Sequence, residues 1–145
     1  MKVTVSNSSE KEKLDLAKSV YHKHFGRSTL TANEKIFFLE IDNTLAGLVR
    51  LCFEYDVFQL RSMLIFPEFR GKGFGRKFLK GFENYLDQNK IREIYCLPWA
   101  KLENFYSEIG FKKEPTHLAP VFLKERLNEY RSQNKDEIIF MRRSK

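Results

Sequence analysis

Arg70-Gly71-Lys72-Gly73-Phe74-Gly75 sets three glycines at alternate positions among basic residues, with Arg76 and Lys77 directly behind them. Glycines so spaced let the backbone enter φ > 0 and bring several N–H groups close to a ligand with no Cβ in the way. Phe74, Phe78, Leu79, Phe82, Tyr85 and Leu86 then recur at helical spacing. A helix starting at the glycines adds its unpaired first-turn N–H groups and its dipole. The chemistry this predicts is a cradle for a phosphate or pyrophosphate.

Two other glycine loops are excluded by spacing. A nucleotide P-loop ends in Gly-Lys-Ser/Thr, and neither Gly71-Lys72-Gly73 nor Gly75-Arg76-Lys77 supplies the metal-binding hydroxyl. A dinucleotide fingerprint needs G-x-G-x-x-G, whereas this run is G-x-G-x-G and its strand lies well into the chain. A helix cap that binds nothing stays open as the plain alternative.

The elements that must position the loop can be read from periodicity and turn chemistry. Residues 1–5 alternate and predict a short edge strand. Ser8 or Ser9 is the predicted cap of a helix over 10–25, whose Leu14, Ala17, Val20, Tyr21 and His24 share a face and which Gly26 ends. Residues 36–41 and 45–53 read as strands joined by Asp42-Asn43-Thr44, residues that tolerate unusual φ, and so as a hairpin. A third strand over 57–65 delivers the glycine loop through Phe66-Pro67-Glu68-Phe69. Residues 91–97 predict a buried strand, 100–109 a short helix, and Phe111 the start of another strand. Pro120, with Leu123, Leu127 and Tyr130 on one face, predicts a helix to Gln133 before a last strand over 137–142.

Strand, proline-led loop, glycine run and helix together resemble the acyl-coenzyme A site of the GNAT superfamily of N-acetyltransferases. The likeness continues in Phe105-Tyr106-Ser107-Glu108-Ile109-Gly110-Phe111, similar to the superfamily's second signature, an aromatic-tyrosine pair ending a helix that Gly-Phe carries into a strand. It covers residues 57–111. The fold class it implies is α/β, a central mixed, mostly antiparallel sheet of about six or seven strands flanked by helices, in one domain over 1–145. The helix after Pro120 is an addition relative to most members and points to the branch resembling small-molecule and amino-acid-type enzymes.

The resemblance also implies roles. Met63, Leu64 and Ile65 would offer backbone groups to the pantetheine arm of acetyl-CoA, as if the donor were added to the sheet edge. Arg70, Gly71, Lys72, Gly73, Phe74, Gly75 and Arg76 would hold its pyrophosphate, and a backbone N–H near Leu64 would face the carbonyl oxygen. Tyr106 stands where the family places its general acid. A phenol titrates near 10 and a thiol near 8.5, so full proton transfer would be uphill by about 2 kcal/mol and hydrogen bonding to the sulfur is the expected contribution. A packed aromatic is the alternative for Tyr106. Many relatives carry a Glu base early in the strand before the loop, where this chain has Gln59, which accepts no proton at neutral pH. Glu54, Asp56 or Glu40 acting through water are the substitutes, each with a solvated surface charge as the alternative.

Strand alternation puts Gln59, Arg61 and Met63 on one face and Leu60, Ser62 and Leu64 on the other. With Gln59 in the base position, Arg61 faces the acceptor, where a guanidinium suits a carboxylate held by two parallel hydrogen bonds. A structural salt bridge is the competing reading. Trp99 replaces an asparagine that the family sets against the pantetheine and would wall the channel or pack at its rim. His22 and His24 are two apart on a helix and do not face the same way.

Composition sets the remaining bounds. The chain has 145 residues, two cysteines, three histidines and a net charge of +7. One core of ordinary size needs no disulfide or metal at this length, and no metal-ligand spacing exists. No stretch reads as a signal peptide or membrane span, so the expected compartment is the reducing cytoplasm. The positive charge would suit a polyanion, and coenzyme A is one. The sequence therefore predicts an acetyl-CoA-dependent N-acetyltransferase acting on a small amine by direct transfer, with no metal, no membrane, no nucleic acid and a homodimer as an open option. Acetylation of a protein or peptide, and a non-catalytic coenzyme- or nucleic-acid-binding domain, are the other classes. Arg142, Arg143 and Lys145 read as a solvated basic tail.

Overall fold

The computed structural model describes residues 1–31 and 33–145. It divides into two compact units, Met1–Phe82 and Glu83–Lys145.

The first unit carries β1 (Lys2–Asn7), α1 (Lys11–Phe25), β2 (Glu34–Ile41), β3 (Thr44–Glu54), β4 (Val57–Ile65) and the start of α2 (Phe74–Gln88). Each strand pairs antiparallel with the next. The reason is in the turns. Asp42 and Asn43 have φ of 50° and 62°, and Tyr55 and Asp56 repeat the same two values. Two successive residues at positive φ give a two-residue hairpin whose twist matches that of the strands it joins.

Both faces of β2 and β3 are covered, which accounts for their nearly unbroken apolar sequence. Ile36, Phe38, Leu48 and Leu64 bury one face against Ala17, Tyr21 and Leu30, with Leu14 and Val20 packed at the margin. On the other face Phe37 meets Phe82 of α2 at 4.9 Å between ring centroids. Helix α1 ends as expected, at Gly26 with φ 76° and its N–H bonded to the His22 carbonyl at 2.9 Å. Its start differs from expectation. Glu10 is the cap residue, with no side-chain bond to the helix. The Ser8 hydroxyl instead accepts the Glu34 N–H at 2.8 Å, tying the entry of α1 to the first residue of β2.

The second unit contains the end of α2, β5 (Glu93–Cys96), α3 (Glu103–Ser107), β6 (Lys112–Lys113), α4 (Val121–Gln133) and β7 (Met141–Ser144). Strand β7 pairs antiparallel with β5 and with β6. Helix α4 buries Leu123 and Leu127, the face that the sequence predicts. The basic tail is a correction. Arg143 is fully buried, donating from Nε to the Ile109 carbonyl at 2.7 Å and from Nη2 to Glu83 at 3.1 Å and Asp87 at 2.9 Å. Alternation along β7 turns Arg142 outward to Glu93 at 3.5 Å and sends Arg143 in.

Among the described residues, seven strands and four α-helices form an α/β chain, within the expected count, with the extra helix in place before the last strand. Among the described residues no helix is long and apolar enough to cross a membrane.

Candidate active site

Strand β4 carries most of the predicted residues and is not a regular strand. Its register against β3 runs from Arg61 opposite Arg50 to Leu64 opposite Leu48, so that Ser62 and Met63 face the single residue Val49. Ser62 has φ 56°. This is a β-bulge, which shifts every later side chain to the other face of the sheet. Gln59 and Arg61 therefore share their face with Leu64, not with Met63 as strict alternation predicts. They lie on the face covered by α1, because Leu64 belongs to the cluster around Tyr21.

A buried polar network holds the bulge. The Tyr21 hydroxyl donates to the Ser62 carbonyl at 2.9 Å. Arg50, at 2% exposure in the middle of β3, donates from Nη1 to the Ser62 hydroxyl at 3.1 Å and to the Thr29 hydroxyl at 3.0 Å. Its other edge grips Glu34 with two bonds of 2.6 and 2.7 Å. Burial alone would raise the Glu34 pKa, but the bonds and charge of Arg50 and the Thr31 N–H outweigh it and hold the carboxyl below its ordinary value. With its lone pairs committed, Glu34 is not a base. None of Tyr21, Glu34, Arg50 and Ser62 was singled out for chemistry from the sequence. The one available signal was Arg50 itself, a charge between Val49 and Leu51 in an apolar run.

The predicted residues on the same face come together in part. Gln59 is buried opposite Cys52. Arg61 Nη1 lies 3.7 Å from Glu54 Oε1, an ion pair between a mostly buried guanidinium and a carboxylate about one-third exposed. The Cys52 thiol is pushed up to about 12, chiefly by burial.

Beyond β4 the chain makes a single 3₁₀ turn over Pro67–Phe69 and enters the glycine run. Gly71 and Gly73 have φ of 76° and 83°, and a Cβ added at either would meet no atom within 4 Å. The backbone conformation, and not crowding, requires glycine at both. Gly73 offers its carbonyl to Lys77 N–H at 3.3 Å, so the N–H groups of Phe74, Gly75 and Arg76 sit in the first turn of α2, where no preceding helical carbonyl reaches them. Lys72 and Arg76 are exposed beside them. Arg70 turns back, donating from Nε to the Ile65 carbonyl at 2.8 Å, and so braces the strand end to the loop. Open space over positive-φ glycines, the first-turn N–H groups of α2 and two exposed cations fit the phosphates of a coenzyme A donor.

In the second unit, Tyr106 is 4% exposed and packs edge-on against Phe105 and Phe111 at 5.0 and 6.1 Å. Its hydroxyl makes no hydrogen bond among the described residues. Burial, with a smaller contribution from Cys96, raises its pKa well above that of a free phenol, so it stays protonated. Trp99 is 40% exposed, with Lys101 Nζ 4.6 Å above its ring. His24 stacks on Phe66 at 4.8 Å. Among the described residues no group of His, Cys, Asp or Glu could hold a metal ion.

The Acetyltransferase (GNAT) family profile matches residues 5–111, running through both units. The chain belongs to this family. Solved GNAT structures agree with it in fold. Escherichia coli ElaA superposes with a TM-score of 0.72 at 16% identity, covering 99% of each chain. The ribosomal-protein-S18-alanine N-acetyltransferase of E. coli gives 0.67 at 16%, covering 99% of this chain and 94% of that one. N-acetylglutamate synthase from Neisseria gonorrhoeae, solved with coenzyme A and N-acetyl-glutamate, gives 0.62 at 16%; this chain is covered to 99% and spans 35% of that one. No curated protein matches the chain. As a GNAT acetyltransferase, it takes acetyl-CoA as acyl donor.

Proposed function

We propose that this GNAT protein acetylates the primary amine of a small, carboxylate-bearing acceptor by direct transfer. The observation that carries the acceptor class is the Arg61–Glu54 pair on the face of β4 that also bears Gln59. An acceptor carboxylate replaces Glu54 on the guanidinium with two parallel hydrogen bonds. Glu54, displaced, takes the amine's proton through water.

Acetyl-CoA supplies a thioester carbonyl for attack by the amine. Met63, Leu64 and Ile65 align the donor's arm, and an N–H at Met63 or Leu64 stabilises the carbonyl oxygen as it gains charge. Gly71 to Arg76 receive the phosphates, and Tyr106 is the hydrogen-bond donor assigned to the departing sulfur. Direct transfer is supported by the cysteines. Both are buried with raised pKa values, and a thiol that does not ionise does not carry an acyl group.

Calorimetric titration with acetyl-CoA, repeated on Gly73→Asp, tests the donor site. We expect wild-type binding and a loss of about 100-fold or more in the variant, which adds a Cβ at φ 83° and a negative charge. Amino acids are then compared with their α-carboxamides and with peptides. Turnover of free acids, with an acceptor KM raised by Arg61→Ala and unchanged acetyl-CoA binding, supports the reading. Equal turnover of the amides, or preference for peptides, overturns the acceptor class.

A further inference from the structure

The Ser62–Met63 peptide is the point where β4 leaves its ladder, and it is held from the α1 side by Tyr21 and by Arg50, the cross-strand partner of Arg61. Ser62 is a non-glycine residue at φ 56°, a conformation that persists only where the surroundings impose it. Two contacts do so. Tyr21 takes the Ser62 carbonyl oxygen and Arg50 takes its hydroxyl, while Glu34 and Thr29 fix the guanidinium. In a planar trans peptide the N–H points opposite to the C=O. A carbonyl bonded to Tyr21 on one side therefore aims the Met63 N–H to the other.

We propose that Tyr21 and Arg50 are positioning residues that set the direction of the Met63 N–H and through it the rate of acyl transfer. The inference rests on the N-acetyltransferase reading above and adds to it residues outside both sequence motifs. Neither side chain touches a reacting atom. Their effect is on the preorganisation of a backbone donor, and a misplacement of about 1 Å at such a group costs on the order of 100-fold in rate. The Tyr21 ring is packed in the core and stacks on Phe25 at 5.6 Å, so removal of the hydroxyl alone leaves the packing in place.

The test compares wild type, Tyr21→Phe, Ser62→Gly and the double variant. It measures release of the coenzyme A thiol with an amino-acid acceptor, acetyl-CoA affinity by calorimetry, and the Met63 amide by nitrogen-15 NMR. Tyr21→Phe is expected to lower kcat about tenfold and leave the KM for acetyl-CoA within about twofold. Glycine takes positive φ without a Cβ penalty, so the double variant should recover to within about threefold of Ser62→Gly alone. A structural role only would lower the melting temperature of Tyr21→Phe without this split or rescue. Wild-type rates in Tyr21→Phe, or an equal loss with and without Ser62→Gly, overturn the proposal. If the wild type binds acetyl-CoA but releases no thiol with any amino acid, the acceptor reading fails by itself. Positioning is then decided by NMR. A Met63 amide shift in Tyr21→Phe, reversed in the double variant, upholds it, and an unmoved amide overturns it.

Discussion

Tyr106 is a phenol whose ring is buried and whose hydroxyl has no hydrogen-bond partner among the described residues. Burial of the residue, with a smaller contribution from Cys96, raises its pKa. The shift makes proton transfer to a thiolate harder than for a free phenol and leaves hydrogen-bond donation as its chemistry. Tyr106→Phe should therefore lower kcat by about 10- to 100-fold, in the range for losing one donor to a developing charge. Acetyl-CoA affinity should stay the same. Stability should move by less than about 0.5 kcal/mol, because no hydrogen bond is lost. Initial rates and thermal unfolding check both halves; a destabilised variant with unchanged kcat would mean that the hydroxyl only packs.

At the scale of elements, β2 and β3 are joined through a buried ion pair, Glu34–Arg50, whose worth depends on pH. Glu34 has its folded pKa below the ordinary 4.5. Stability from a depressed carboxyl is fully present above the unfolded pKa and is lost as pH falls through the folded one. Wild-type stability should therefore decline on acidification below pH 4.5. Glu34→Gln leaves Arg50 buried without its counter-charge, and should cost about 3 kcal/mol at pH 7. The gap should narrow at pH 3, below the unfolded-state pKa, where the stability that ionised Glu34 contributes is being lost. Urea unfolding at the two pH values measures it, and a constant gap would mean that Glu34 contributes packing alone. The same elements show what the sequence could disclose. Strand β4 is read at its true ends, Val57 and Ile65, because a turn and a proline-led loop bound it. The bulge inside it leaves no trace, since the one extra residue opposite Val49 is marked by neither glycine nor proline, and the face of Met63 is misread in consequence. Glu34 and Arg50 are 16 residues apart, and only the pairing of β2 with β3 makes them partners. Ser8 looks like a helix cap because serine caps helices, yet its hydroxyl is claimed by Glu34 N–H. Arg143 looks like tail charge until the register of β7 turns it inward.

For the whole molecule, the question is whether the acyl group ever rests on the protein. Among 145 residues there are two cysteines, and both are buried and unpaired, Cys52 in the first unit and Cys96 in the second. Burial is the largest influence on each. It lifts Cys52 to about 12, with Arg50 and Arg61 opposing it in part, and lifts Cys96 well above the ordinary thiol value. At pH 8 the nucleophilic thiolate is then a vanishing fraction at either position. Thiol reagents should find fewer than about one reactive cysteine per folded chain and two after denaturation. Incubation with acetyl-CoA alone should add no acetyl mass to either cysteine. Initial rates at varied acetyl-CoA and amine should give intersecting reciprocal plots, the pattern of a complex holding both substrates, where an acyl-enzyme would give parallel lines. Parallel lines together with an acetylated cysteine peptide would reverse the assignment, since a thiol could then be ionised only in a conformation that exposes it.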